Sequence, residues 1–300
     1  MEVQWPLLIF SVLLGMGSGV LVFLGVGELK GAFRRVRFPL AVTALVLLAA
    51  GGIASTFHLG HIDRAFHILG NMESGLSREL FAVAFAGIVT LVYAVLARED
   101  YPTASKVLGV LALIAGIVLP LTAGASFMMP ARPAWDTFTL PIMYLGTGLG
   151  MGATLAAAVV CTRGDADDAG LAVKLALVGV ACSVVAVVAY VAAVAAAPFA
   201  HESRSIDRLL SGSLAVEFWG GVALVGIVVP AVLALLAARR GQSGPVAAAA
   251  EGAAEGTAEA AGLKLTAGYL WAALACLIVG SVVLRTIMYA VATSVESLIY

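Results

Sequence analysis

Eight apolar stretches dominate this chain, at roughly 6–27, 39–59, 79–97, 104–125, 138–161, 171–197, 213–238 and 266–290. About 20 such residues in a helix span a bilayer core. In lipid each backbone polar group must be bonded within its own segment, so runs of this kind fold as spanning α-helices. Composition agrees, with 62% hydrophobic and only 12% charged residues, against about a quarter charged in soluble domains. The expected fold is all-α, a polytopic membrane protein with eight transmembrane helices in one integral membrane domain over residues 1–300. An ordinary soluble enzyme, a secreted disulfide scaffold and a disordered chain are excluded. A net charge of −1 offers no basic field to nucleic acid. The first run reads as a retained helix, because Glu2 precedes it, no basic stretch does, and it is too long for a signal peptide.

Orientation follows from the basic residues in alternate loops. The loops joining helices 1–2, 3–4, 5–6 and 7–8 hold eleven Lys and Arg, and the other three hold five. Lys30, Arg34, Arg35 and Arg37 crowd into the first loop alone. The richer set is therefore expected in the cytoplasm, with both termini outside. Residues 239–265, rich in Ala, Gly and Glu, read as a flexible cytoplasmic linker. Glu79-Leu80-Phe81 and Glu217-Phe218-Trp219 open helices 3 and 7 alike, a pattern compatible with two four-helix bundles related as parallel repeats. Gly15 and Gly19, and the pairs Gly146/Gly150 and Gly148/Gly152, have small-xxx-small spacing and are read as helix-packing positions.

Cys161, Cys182 and Cys276 lie inside apolar runs without close spacing, so no iron–sulfur cluster is expected in this chain. His58, His61, His67 and His201 all lie outside the middles of the apolar runs, which disfavours a haem held between two helices. No metal site is expected.

The chemistry gathers in the loops and helix ends on the expected outer side. In residues 58–79, Ile62, Phe66, Leu69, Met72 and Leu76 recur at spacings of three and four, the signature of a short amphipathic helix on the membrane surface. His58 ends helix 2 and Glu79 begins helix 3, so an antiparallel hairpin sets both at one depth. An imidazole beside a carboxylate in an apolar mouth suits a substrate that releases protons as it is oxidised. Arg285 lies in the outer third of helix 8, with Tyr289 one turn later on the same face. An ionisable group within a span is a functional or partnering candidate, although an arginine near a helix end also snorkels to the surface. Glu217 is a candidate partner for Arg204, Arg208 or Arg285.

Several of these segments resemble the membrane-anchor subunits of dimethyl sulfoxide reductases. They are Gln4-Trp5-Pro6-Leu7-Leu8-Ile9-Phe10, Ser55-Thr56-Phe57-His58-Leu59-Gly60, Arg64-Ala65-Phe66, Leu76-Ser77-Arg78-Glu79 and Arg285-Thr286-Ile287-Met288-Tyr289. In the last, Met288 stands where that family has an aromatic residue. The resemblance implies an eight-helix anchor in the bacterial cytoplasmic (inner) membrane with both termini outside. It implies partners on the outer face, a four-cluster iron–sulfur subunit and a molybdopterin catalytic subunit. It implies oxidation of menaquinol and delivery of its electrons to the iron–sulfur subunit in anaerobic respiration. Haem, iron–sulfur cluster and molybdopterin are absent from such an anchor. The family's quinol-site histidine falls on His58 and its essential glutamate on Glu79, and Arg285 and Tyr289 are expected to orient the quinol ring. The alternatives are a polysulfide-reductase-type quinone anchor of another molybdoenzyme, a purely structural anchor, and a secondary transporter. Transporters place charged groups or broken helices near the midplane, and the middles of these spans carry no ionisable residue.

Overall fold

The computed structural model describes residues 3–57, 74–98, 102–196, 206–251 and 255–291, of which 102–105, 241–251 and 255–259 are described by backbone only. The described elements are helical. They are α1 (Trp5–Lys30), α2 (Arg37–Thr56), α3 (Gly75–Leu96), α4 (Pro102–Ala125), α5 (Thr139–Thr162), α6 (Ala166–Ala196), a π-helical segment (Glu217–Val228) running directly into α7 (Val229–Glu251), and α8 (Glu255–Val291). Among the described residues eight helices are long and apolar enough to cross a membrane, with mean hydropathy from 1.5 to 2.6 in their most apolar windows. Large apolar side chains such as Val46, Ile53, Ile88, Val95 and Val185 stay exposed along them. A bilayer covers such stripes, whereas on a soluble protein they would be an aggregation surface.

The residues expected to form a flexible linker, 239–265, are helical wherever they are described, from Val229–Glu251 and again from Glu255. The reason is alanine, the strongest helix former, which fills this segment. Of the segment 58–79, where a surface helix is expected, residues 58–73 lie outside the described residues. Its last part differs from expectation, because α3 begins at Gly75 and not at Glu79. Ser74 caps it, its side chain accepting the Ser77 N–H at 3.1 Å, a standard way to satisfy an orphan donor at a helix start. Glu79 therefore lies one turn inside the helix.

Helix α1 is central, packing on α2, α4 and α5, while α5 packs on α6 and α8. The α1–α5 seam is a backbone-to-backbone contact built on glycine. A Cβ on Gly19 would lie 2.2 Å from the Gly148 carbonyl oxygen, and one on Gly152 would lie 2.4 Å from Gly19. Gly146 and Gly150 face the other way, onto Cys182, Ala186 and Ser183 of α6. Both glycine stripes thus serve helix packing, as their spacing suggests. A third close approach sets Gly226 of the π-helical segment against Gly280 of α8, where an added Cβ would lie 2.2 Å away.

The bundle end away from Glu79 is tied by polar contacts. The Tyr93 hydroxyl donates to Glu28, Arg37 Nη1 lies 4.0 Å from Glu28, and Arg37 Nε donates to the Ala97 carbonyl at 3.0 Å. Phe33 adopts φ +65°, a left-handed conformation rare for a bulky residue. Three contacts hold it there. Its N–H donates to Asp168, its ring stacks on Phe23 at 4.3 Å, and it fills the notch left by Gly27.

Candidate functional site

Polar and aromatic groups converge at the end of the bundle where α3, α5 and the π-helical segment begin and α4, α6 and α8 end. Glu79 on α3 is 8% exposed and hydrogen-bonded to Ser126, just past α4. The two elements touch there because Gly75 leaves room, an added Cβ lying 3.3 Å from the Ser126 Cα. Glu79 acts electrostatically on Tyr144 of α5 and on Tyr289 of α8. It stands inside the protein, under the chain that joins α4 to α5.

Arg285 on α8 is 1% exposed. It does not snorkel. Its guanidinium carbon lies over the Tyr144 ring, 3.4 Å from the centroid, a cation–π contact. One nitrogen, Nη2, donates to Thr147 Oγ1 at 3.3 Å. Nε and Nη1 have no hydrogen-bond partner among the described residues. No carboxylate among the described residues forms an ion pair with it, and Glu217 is solvent-exposed or lipid-exposed instead. Insertion scales put an arginine at the centre of a span at about 3 kcal/mol unfavourable, and a buried charge is retained where something answers it.

Tyr289, one turn beyond Arg285, is 2% exposed, and its buried hydroxyl also lacks a partner among the described residues. Its ring is boxed by Trp135 and Phe127, with centroids at 5.6 and 6.3 Å, both edge-on. Phe127 also leans on Trp135 and Tyr144, each at 5.8 Å. The α4–α5 connection that carries Phe127 and Trp135 is pinned by two long-range hydrogen bonds. Trp135 Nε1 donates to the Met288 carbonyl at 2.9 Å, and the Tyr190 hydroxyl donates to the Ala134 carbonyl at 2.9 Å. Arg132 sits over the Trp135 ring at 4.6 Å. The result is an aromatic cluster at one end of the bundle, together with a buried carboxylate and buried N–H and O–H donors that lack partners among the described residues.

The structure therefore brings together three of the four residues singled out from sequence, Glu79, Arg285 and Tyr289. His58 lies outside the described residues. Phe57, just before it, is 78% exposed at the end of α2. The resemblance between the starts of helices 3 and 7 does not extend to burial, since Glu79 is buried and Glu217 is exposed. Sequence reasoning missed Tyr144, Thr147, Trp135, Phe127 and Ser126. A clue existed in Trp135, a large aromatic in a short Pro- and Arg-containing connection between two apolar runs.

Fold and site define a multi-pass α-helical membrane protein whose helix ends enclose a carboxylate, a guanidinium and packed phenols. The chain belongs to the DMSO reductase anchor subunit (DmsC) family, whose model matches residues 1–246. That match includes Glu79, Ser126, Trp135 and Tyr144 and stops before Arg285 and Tyr289. The chain is also similar to the anaerobic dimethyl sulfoxide reductase chain YnfH of Escherichia coli (strain K12), at 31% identity over 163 residues. That alignment covers 52% of this chain and 57% of the relative, so the chain spans a little over half the length of the relative it matches.

Proposed function

We propose that this chain is the quinol-oxidising membrane anchor of a dimethyl sulfoxide reductase-like molybdoenzyme. The observation that carries the reading is Glu79, buried inside a helix bundle at the end that also holds the aromatic cluster. A carboxylate so placed has no need to be there for packing, and it suits a substrate that gives up protons in an apolar setting. His58 follows Phe57 directly and supplies the second proton acceptor. Oxidation of one menaquinol to menaquinone releases two electrons and two protons. The protons pass to Glu79 and His58 and from them to the water outside. The electrons pass singly to the nearest cluster of an iron–sulfur subunit, and from it to a molybdopterin catalytic subunit where the terminal acceptor is reduced. Arg285 and Tyr289 orient the ring.

The reading sets both termini and the aromatic cluster on the outer face of a bacterial inner membrane, with the two partner subunits docked on that face. It also takes α1–α4 and the helices from α5 onward as two four-helix halves. Haem, iron–sulfur cluster and molybdopterin belong to none of its own residues. Two measurements test it. Purified from its native membrane through a tag on this chain, the complex is expected to carry stoichiometric molybdenum and iron. A His58→Ala variant is expected to keep both metals and lose quinol-driven reduction. A metal-free preparation, or full quinol activity in the variant, contradicts the proposal.

A further inference from the structure

Hydroxyls inside these helices can bond to a carbonyl one turn earlier on their own helix. Thr90, Thr147 and Thr286 do so, donating to the carbonyls of Ala86, Met143 and Val282. Ser281 of α8 does not. It is 4% exposed, and its hydroxyl has no hydrogen-bond partner among the described residues. Buried polar groups in folded proteins are almost always hydrogen-bonded, and within a bilayer no bulk water reaches an orphaned one.

Ser281 lines a cavity where α5, α6, the π-helical segment and α8 meet. Thr147 of α5 and Ser183 of α6 bring two further hydroxyls to its wall, and Val222 and Leu284 are among its apolar residues. The Thr147 proton goes to the Met143 carbonyl at 2.8 Å, and its oxygen accepts Arg285 Nη2 at 3.3 Å. A hydroxyl oxygen has two lone pairs, so Thr147 keeps room for a second donor. The cavity measures about 10 Å³, close to one water-sized sphere. Helix contacts on two sides keep it from collapsing. A Cβ on Gly280 would lie 2.2 Å from the Gly226 Cα, and one on Gly150 would lie 3.0 Å from the Ser183 Cβ. Gly226 itself belongs to the π-helical segment, a rare helix type found mostly at functional sites.

We propose that this cavity is a built site for one water molecule, held inside the span by Ser281, Ser183 and Thr147. Internal cavities that stay dry are apolar, whereas a polar one of this size with two to four partners takes up water. The water accepts the Ser281 proton and donates to the second lone pair of Thr147, with Ser183 as the third partner. It thereby fixes the hydroxyl on which Arg285 Nη2 rests, so the guanidinium is solvated through a threonine. The site stands apart from the quinol chemistry.

The test is X-ray radiolysis of the detergent-extracted native assembly, followed by peptide mass analysis. Radiolysis makes hydroxyl radicals from water where it is bound, and they oxidise the side chains beside it. Leu277 and Leu284 line the cavity, and Leu270, on the same helix and fully buried, does not. In wild type Leu277 and Leu284 are expected to be oxidised clearly above Leu270. The double variant Ser183→Ala/Ser281→Ala removes two of the three hydroxyls and adds no bulk, and its oxidation at both leucines is expected to fall to the Leu270 level. Monodisperse elution reports that the variant is folded. Wild-type oxidation of Leu277 and Leu284 no greater than that of Leu270 overturns the water site. Undiminished oxidation in the folded double variant overturns the role of the two serines in holding it.

Discussion

Replacing Gly152 by alanine tests the packing that holds the bundle together at the α1–α5 seam. The new Cβ would lie 2.4 Å from the Cα and carbonyl carbon of Gly19 and from the Val20 nitrogen, whereas ordinary contact begins at 3.4 Å. All three are backbone atoms of α1, so no side chain can swing aside, and α1 and α5 must part by about 1 Å. Overpacking of this kind costs about 1–3 kcal/mol, which corresponds to a fall of roughly 4–8 °C in melting temperature for a cost near the middle of that range. The displacement also reaches Tyr144, eight residues earlier on α5, and through it the seat of Arg285. Gly87→Ala on α3 is the control. No atom lies within 4 Å of its added Cβ, and Gly→Ala inside a helix stabilises by about 0.5–1 kcal/mol. Melting of the detergent-purified complex, followed by loss of monodisperse protein on heating, is expected to move in opposite directions for the two variants. Equal melting of Gly152→Ala and wild type would refute a seam set by backbone contact.

Three further expectations follow from local geometry. Ser74→Ala removes the cap that accepts the Ser77 N–H, a loss of about 1 kcal/mol. Amide exchange at residues 75–79 is then expected to quicken about 5-fold, and unchanged exchange contradicts the capping role. Trp135→Phe removes the hydrogen bond to the Met288 carbonyl, worth about 1 kcal/mol, and is expected to quicken amide exchange at residues 135 and 136, whose N–H groups donate to the Arg132 carbonyl; unaltered exchange contradicts the pinning role. Asp165, in the turn between α5 and α6, is held above its ordinary carboxylate range, first by burial and then by the neighbouring Asp168, with Arg35 opposing. A carboxyl raised in the folded state stabilises below its ordinary value of 3.8 and loses that contribution as pH climbs toward neutrality. Asp165→Asn is therefore expected to melt higher than wild type at pH 7, with the gap closing as pH approaches 4. A gap that widens on acidification contradicts the assignment.

The architecture was legible because a bilayer leaves so little choice. Apolar length alone marks the eight spans, and glycine spacing alone marks the two faces of α5. Arg285 stood out because a charge inside a span is expensive, and burial over Tyr144 decides between the two readings it allowed. What could not be read is the set of neighbours. The Trp135–Met288 and Arg285–Thr147 contacts join residues 153 and 138 positions apart, and nothing in a tyrosine or threonine within an apolar run announces a distant partner. The start of α3 was misplaced because Ser74-Gly75 reads as loop until its capping role is seen. The helix in the described residues of 239–265 was not anticipated because a low-complexity segment rich in Ala, Gly and Glu was weighed by its flexibility and not by its alanine propensity. The π-helical segment at Glu217–Val228 has no signature in periodicity, since its residues after Glu217 are apolar or glycine on every side.

The most direct measurement is the rate at which the iron–sulfur partner is reduced after the complex is mixed rapidly with a menaquinol analogue, compared between wild type and Glu79→Gln. The amide is nearly isosteric with the carboxyl and keeps a hydrogen bond to Ser126 within reach, but it cannot take a proton. The account predicts a rate at least about 100-fold lower, the lower range of a lost general base, with metal content and assembly unchanged. A Glu79→Gln complex that reduces its partner at the wild-type rate would contradict it.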